Sequence, residues 1–163
     1  MYDENGREPG EGWRHTMIKV PGKDGVNDFP ALVHDAAPGV GIVVFPWGLF
    51  SVTHLRSGMR LNGPYERAAN AAIEAAQWAK VLDLEAAASG DDLVKQVEAA
   101  PDDPVPFGGA TITDNEGSRT MTRREWFESV MADRGWVVEF PWEEQSPWER
   151  ADEILGLKQP ATS

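Results

Sequence analysis

Three histidines are the first candidates for chemistry in this chain. His15, His34 and His54 each lie in a segment with strand character, and Asp35 follows the second of them. Imidazole and carboxylate groups together suit zinc or a non-heme metal. The histidines are spaced 19 and 20 residues apart, which matches no compact metal-ligand motif. The sequence therefore predicts no metal site and no cofactor, and a small hydrolytic enzyme that uses His34, Asp35 and His54 is an alternative function.

Other catalytic signatures are missing from the sequence. There is no cysteine, which excludes disulfides, thiolate metal sites and thiol catalysis. The glycine pair at Gly39 and Gly41 precedes a strand, whereas a dinucleotide-binding motif follows a strand and opens a helix. No GxSxG, HExxH or EF-hand pattern occurs. These absences favour a binding protein over an enzyme.

Charge gives the strongest indication of what the protein binds. The 163 residues carry a formal net charge of -12. The segment from Asp83 to Glu116 contains nine acidic residues, and Lys95 is its one basic residue. Such a charge opposes contact with nucleic acid, whose affinity for proteins comes mainly from lysine and arginine, and it favours a protein partner with a basic surface. Four carboxylates of this segment are predicted to steer the association: Asp91, Asp92, Asp102 and Asp103.

Two tryptophans near the C-terminus add a second prediction. Trp142 and Trp148 lie beside prolines in connecting segments, and Glu143 and Glu144 follow the first of them. Tryptophan is enriched at interface hot spots within polar rims. The sequence predicts Trp142, Glu143, Glu144 and Trp148 as partner contacts, with coverage of the core from loops as the alternative.

One basic cluster stands out in the acidic chain. Arg119, Arg123 and Arg124 surround a predicted helix start, where free N–H groups and the helix dipole attract anions. A phosphate or carboxylate contact is therefore possible at this cluster. Pairing with the acidic segment that precedes it is the alternative.

The strand pattern predicts an antiparallel sheet. The side chains of residues 13–20 alternate between two faces, as in a β-strand. Residues 21–30 are of types that favour turns, and residues 31–34 are predicted to form a short strand. Residues 40–45 and 49–55 give the strongest strand signals, and shorter strands are expected at 59–61 and 136–140. The connections are too short for parallel crossovers.

Helix signals follow in the second half. The best helix is expected over residues 62–87, with Pro64 at its first position after an Asn62 or Gly63 cap. Its polar side is predicted to carry Glu66, Arg67, Asn70, Glu74, Gln77 and Lys80, opposite an alanine stripe. Further helices are expected after residues 89–92, where Leu93, Val94 and Val97 point inward, after a Thr122–Glu125 capping box, and after Ser146.

These patterns define a fold class and a leading hypothesis. We expect one α+β domain over residues 13–157, mainly an antiparallel sheet of about four to six short strands with three or four helices, between flexible segments at 1–12 and 158–163. The chain lacks a long apolar run and a basic signal-like start, so we expect a cytoplasmic protein outside the membrane. The leading hypothesis is a non-enzymatic acidic module that inhibits or neutralises a partner, as a bacterial immunity protein or a phage-encoded inhibitor does. A virion structural or assembly component is a further alternative.

Overall fold

A computed structural model describes residues 12–22, 25–46, 48–132 and 146–157 of the chain. Over these residues it shows a five-stranded antiparallel sheet, a two-stranded hairpin and four helices, which confirms the predicted α+β class. The strands are β1 (Arg14–Gly22), β2 (Gly25–Val33), β3 (Val40–Val44), β4 (Phe50–His54), β5 (Arg60–Tyr65), β6 (Thr111–Asp114) and β7 (Gly117–Thr120). The helices are α1 (Ala68–Val81), α2 (Gly90–Ala99), α3 (Arg123–Ala132) and α4 (Pro147–Ile154). The strand predicted at residues 136–140 lies outside the described residues.

The main sheet is a meander in which each strand pairs with the next one along the chain. The prediction of turn structure throughout residues 21–30 is wrong, because β2 begins at Gly25 and pairs with β1 along its whole length. By contrast, β2 pairs with β3 only at Ala31 and Leu32. Pro30 therefore lies where this pairing ends, at a position that tolerates a residue without an N–H donor.

Helix α1 packs on the main sheet through small side chains. Ala69, Ala72 and Ala76 are fully buried, and the helix contacts β3, β4 and β5. Small residues allow the helix backbone to approach the sheet closely and to pack against buried aliphatic side chains such as Ile42 and Val52. Helix α4 packs against α1, and α2 contacts α3.

The start of α1 differs from the prediction. The helix begins at Ala68, and Pro64 belongs to β5 instead of the first helical turn. Asn62 does not cap the helix, because its side chain accepts a hydrogen bond from the Gly63 N–H and donates one to Glu74. The sequence had placed Glu74 and Asn70 on an exposed polar side of the helix. In the structure Asn70 is buried and Glu74 is hydrogen-bonded to Asn62, so neither residue lies on such a side.

The caps of the other helices agree with the sequence. Ser89 accepts a hydrogen bond from the Asp92 N–H at the start of α2, and Ser146 accepts one from Trp148 at the start of α4. At α3, Thr122 and Glu125 exchange hydrogen bonds of 3.0 and 3.2 Å, which is the geometry of a capping box. Local side-chain chemistry thus fixes where these three helices begin.

Candidate functional site

His54 is a structural residue at the centre of the molecule. None of its surface is exposed, and both ring nitrogens have partners at 2.7 Å, Nδ1 with the Ser57 hydroxyl and Nε2 with the Leu84 carbonyl. Because a carbonyl only accepts hydrogen bonds, Nε2 carries a hydrogen and donates a hydrogen bond to the Leu84 carbonyl. The ring joins β4 to the segment after α1, and neither nitrogen is available for a metal or a substrate.

The other members of the predicted histidine set do not assemble around His54. His34 accepts a hydrogen bond from the Ala36 N–H through Nδ1, while the exposed Asp35 forms an ion pair with Arg14 at 3.1 Å. His34 and Asp35 line an open cavity of about 470 Å³, but His54 is not part of its wall. His15 is exposed on β1. Within the described ranges, no group of three histidine, aspartate or glutamate side chains is placed to hold a metal ion.

Of the two predicted tryptophan contacts, the structure describes Trp148, and this side chain is buried. Trp148 is only 7% exposed, and its ring lies 6.1 Å from that of Trp13, measured between centroids. The prediction of Trp148 as a surface contact is therefore wrong for the described structure: the first turn of α4 directs this side chain into the core, the alternative that the sequence left open. Trp142, Glu143 and Glu144 lie outside the described residues.

The acidic segment, in contrast, forms an exposed surface along α2 and the loop that follows it. Asp91, Glu98, Asp102 and Asp103 are exposed and Asp92 is half-buried, and these five residues are called the α2 acidic surface below. None of them forms an ion pair with a residue that the structure describes. One carboxylate, that of Asp92, accepts a hydrogen bond from the Ala88 N–H. The α2 acidic surface therefore keeps its negative charge without neutralisation from the described part of the chain.

The three arginines of the basic cluster, Arg119, Arg123 and Arg124, have different surroundings in the structure. Arg119 binds both carboxylate oxygens of Glu125, at 2.6 and 2.7 Å, so its partner is the acid of the capping box and not the acidic segment. These hydrogen bonds from Arg119, together with one from the Thr122 N–H, lower the pKa of Glu125 to about 2. Arg123 lines an open cavity of about 650 Å³ that also contacts Lys80 and Asp83, and Arg124 is exposed. Arg119, Arg123 and Arg124 thus do not form one anion site in the described structure.

An apolar cavity lies beside the α2 acidic surface. It has a volume of about 190 Å³ and is enclosed mainly by residues of β5, α1, α2 and α3, and we call it the α2–α3 cavity. Its lining includes Met59, Trp78, Val94, Phe127 and Met131. Val94 is 39% exposed, which corrects the prediction that it points into the core: it lines the cavity. The cavity was not predictable from the sequence, because residues from four separate elements line it.

A buried carboxyl group, Glu74, is the other feature that the sequence missed. Its Oε1 accepts a hydrogen bond from Asn62 Nδ2 at 2.7 Å, and its Oε2 is buried. Burial raises the pKa of Glu74, and hydrogen bonds from Asn62, Tyr65 and Trp78 act in the opposite direction. The hydrogen bond from Asn62 links α1 to β5.

Comparison with protein-family models, with curated proteins and with solved structures finds no match for this chain. No helix within the described residues is long and apolar enough to cross a membrane.

Proposed function

We propose that this protein is a non-enzymatic binding module that docks on a basic surface of another protein and thereby inhibits or neutralises it. The observation that carries this proposal is the α2 acidic surface, whose carboxylates form no ion pair with the described part of the chain. Unpaired surface charge of one sign raises the association rate with an oppositely charged partner and disfavours partners of the same sign.

The position of these charges also supports docking. Asp91 lies at the start of α2, and Asp102 and Asp103 follow its end, so the negative groups extend along one helix and its exit loop. Only Lys95 contributes a positive charge among residues 83–116. A basic groove or helix on a partner could contact several of these carboxylates at once.

The experiment compares two variants of equal net charge in affinity capture from the native lysate. The acidic-surface variant carries Asp91→Asn, Asp102→Asn and Asp103→Asn. The control variant removes three exposed carboxylates elsewhere and carries Asp28→Asn, Asp35→Asn and Glu128→Gln. Thermal unfolding of both variants verifies that they are folded.

We expect the wild-type and control proteins to retain a stoichiometric partner that high salt releases, and the acidic-surface variant to lose it. Exposed ion pairs contribute about 0.2–1 kcal/mol each, so three of them correspond to a loss of affinity of roughly 3- to 150-fold. Equal retention of the partner by the two variants would refute the proposed surface, and an uninhibited partner would refute the inhibitory role.

A further inference from the structure

The α2–α3 cavity is open to solvent and has an apolar wall. Trp78 is fully buried, Phe127 and Met131 are partly buried, and Met59 and Val94 are 37% and 39% exposed. The lining therefore passes from the core to the surface, so that an apolar group can enter from outside. Filling the cavity would bury the exposed parts of Met59 and Val94 and favour binding through the hydrophobic effect.

The volume of the cavity limits what it can hold. Small-molecule sites usually measure about 300–1,000 Å³, whereas this cavity measures about 190 Å³. Benzene, in turn, fits an engineered apolar cavity of about 150 Å³. The α2–α3 cavity therefore has space for a single large aliphatic or aromatic side chain.

Two methionines make the cavity adaptable. Met59 and Met131 are two of the five methionines in the chain, and both line the cavity. Methionine is unbranched and polarizable, so it adjusts to side chains of different shape. This composition is typical of a surface that receives an apolar residue from a partner.

The charge beside the cavity indicates which partner would supply that residue. Asp91 belongs both to the cavity lining and to the α2 acidic surface. Arg60 also lines the cavity, but it already interacts with another part of the chain. A segment that inserts an apolar side chain here would place its neighbouring residues next to Asp91, where lysine and arginine are favoured.

We infer that the α2–α3 cavity receives one large apolar side chain from a basic segment of the partner protein. This inference rests on the proposed function, because it adds an apolar anchor to the charged surface. The anchor would provide affinity in a desolvated pocket, while Asp91 in the cavity lining and the rest of the α2 acidic surface speed the association and orient the segment.

Methionine-methyl NMR tests this inference with defined probes. The first probe is a short amphipathic helical peptide of lysine and leucine, and the second is the same peptide with every leucine replaced by alanine. We expect the lysine–leucine peptide to shift the methyl signals of Met59 and Met131. Met17 on β1 and Met121 lie outside the cavity lining and serve as internal controls. The alanine peptide carries the same charge and should leave all four signals in place.

A pair of variants measures the contribution of the cavity to affinity. Met59→Gln combined with Val94→Gln should weaken binding of the lysine–leucine peptide about tenfold, because it makes the mouth of the cavity polar. The control combines Met17→Gln with Val26→Gln, which change two exposed apolar residues of the β1–β2 hairpin and should leave affinity unchanged.

Three results would overturn the inference, and they separate it from the proposed function. If the peptide binds and the acidic-surface variant weakens it, but Met59 and Met131 do not shift, the anchor is wrong and the charged surface stands. If benzene shifts these two methyl signals and the peptide does not, the cavity takes small apolar compounds instead. If neither peptide binds at low salt, both the anchor and the charged docking surface fail.

Discussion

Replacement of Glu74 by glutamine should increase the free energy of unfolding at neutral pH. A hydrogen bond from Asn62 to Oε1 holds the carboxyl group between α1 and β5, and Oε2 is buried. Burial raises the pKa of Glu74 above its usual 4.5, because the charged form loses more hydration than the hydrogen bonds from Asn62, Tyr65 and Trp78 replace. Glutamine has a similar shape and removes the charge.

The sign of the pH dependence follows from this raised pKa. The folded protein binds the Glu74 proton more tightly than the unfolded chain does, so the contribution of Glu74 to stability is fully present below pH 4.5. As the pH rises from that value to the folded-state pKa, the stability decreases by up to about 1.4 kcal/mol per pH unit. The Glu74→Gln protein has no proton to lose at this site and avoids the decrease.

Urea unfolding of both proteins at several pH values measures the effect. The difference between them should be small at the acidic end of the range, should grow in favour of Glu74→Gln as the pH rises, and should then level off. The other carboxylates affect the free energy of unfolding of both proteins equally and do not contribute to the difference. Replacement of the exposed Glu128 by glutamine is the control. Parallel stability curves for the wild-type and Glu74→Gln proteins would refute the assignment of Glu74 as a destabilising buried acid.

Two further predictions concern the α3 cap and a tight turn. Glu125→Gln should lower the melting temperature at neutral pH, and the deficit should disappear as the pH falls from 4.5 to about 2, because the hydrogen bonds from Arg119 lower the pKa of Glu125 in the folded state. A deficit that stays constant across this window in thermal unfolding would contradict the pairing. Gly39→Ala should destabilise the protein by about 1–3 kcal/mol more than Gly48→Ala in urea unfolding. An added Cβ at Gly39 would lie 2.6 Å from Leu84 Cβ, whereas no described atom lies within 4 Å of one added at Gly48. Both glycines have φ values near +83°, so the backbone strain is matched, and equal losses would contradict the close approach.

The sequence predicted the parts of the fold that depend on local chemistry. Strands β1, β3 and β4 follow from alternation and β-branched runs, and the caps at Ser89, Thr122 and Ser146 follow from side chains that bond to nearby N–H groups. The acidic character of α2 was also visible, because nine acids against one lysine leave few partners close in the chain. These features need no knowledge of distant contacts.

The remaining features depend on contacts between distant segments. Gly25 and Asn27 favour turns, yet pairing with β1 keeps this segment extended. Pro64 suits a helix start, but the pairing of Asn62 and Tyr65 with β4 places it in β5. The α2–α3 cavity, the buried position of Trp148 and the β6–β7 hairpin likewise depend on which elements meet, which periodicity does not specify.

The central claim is that the α2 acidic surface binds a basic partner, and the salt dependence of that binding tests it most directly. The measurement is the Kd of the captured partner for the wild-type, acidic-surface and control proteins at increasing ionic strength. We predict that the wild-type and control proteins lose affinity steeply with salt, and that the acidic-surface variant binds more weakly with a shallower slope. Identical slopes for all three proteins would contradict the claim.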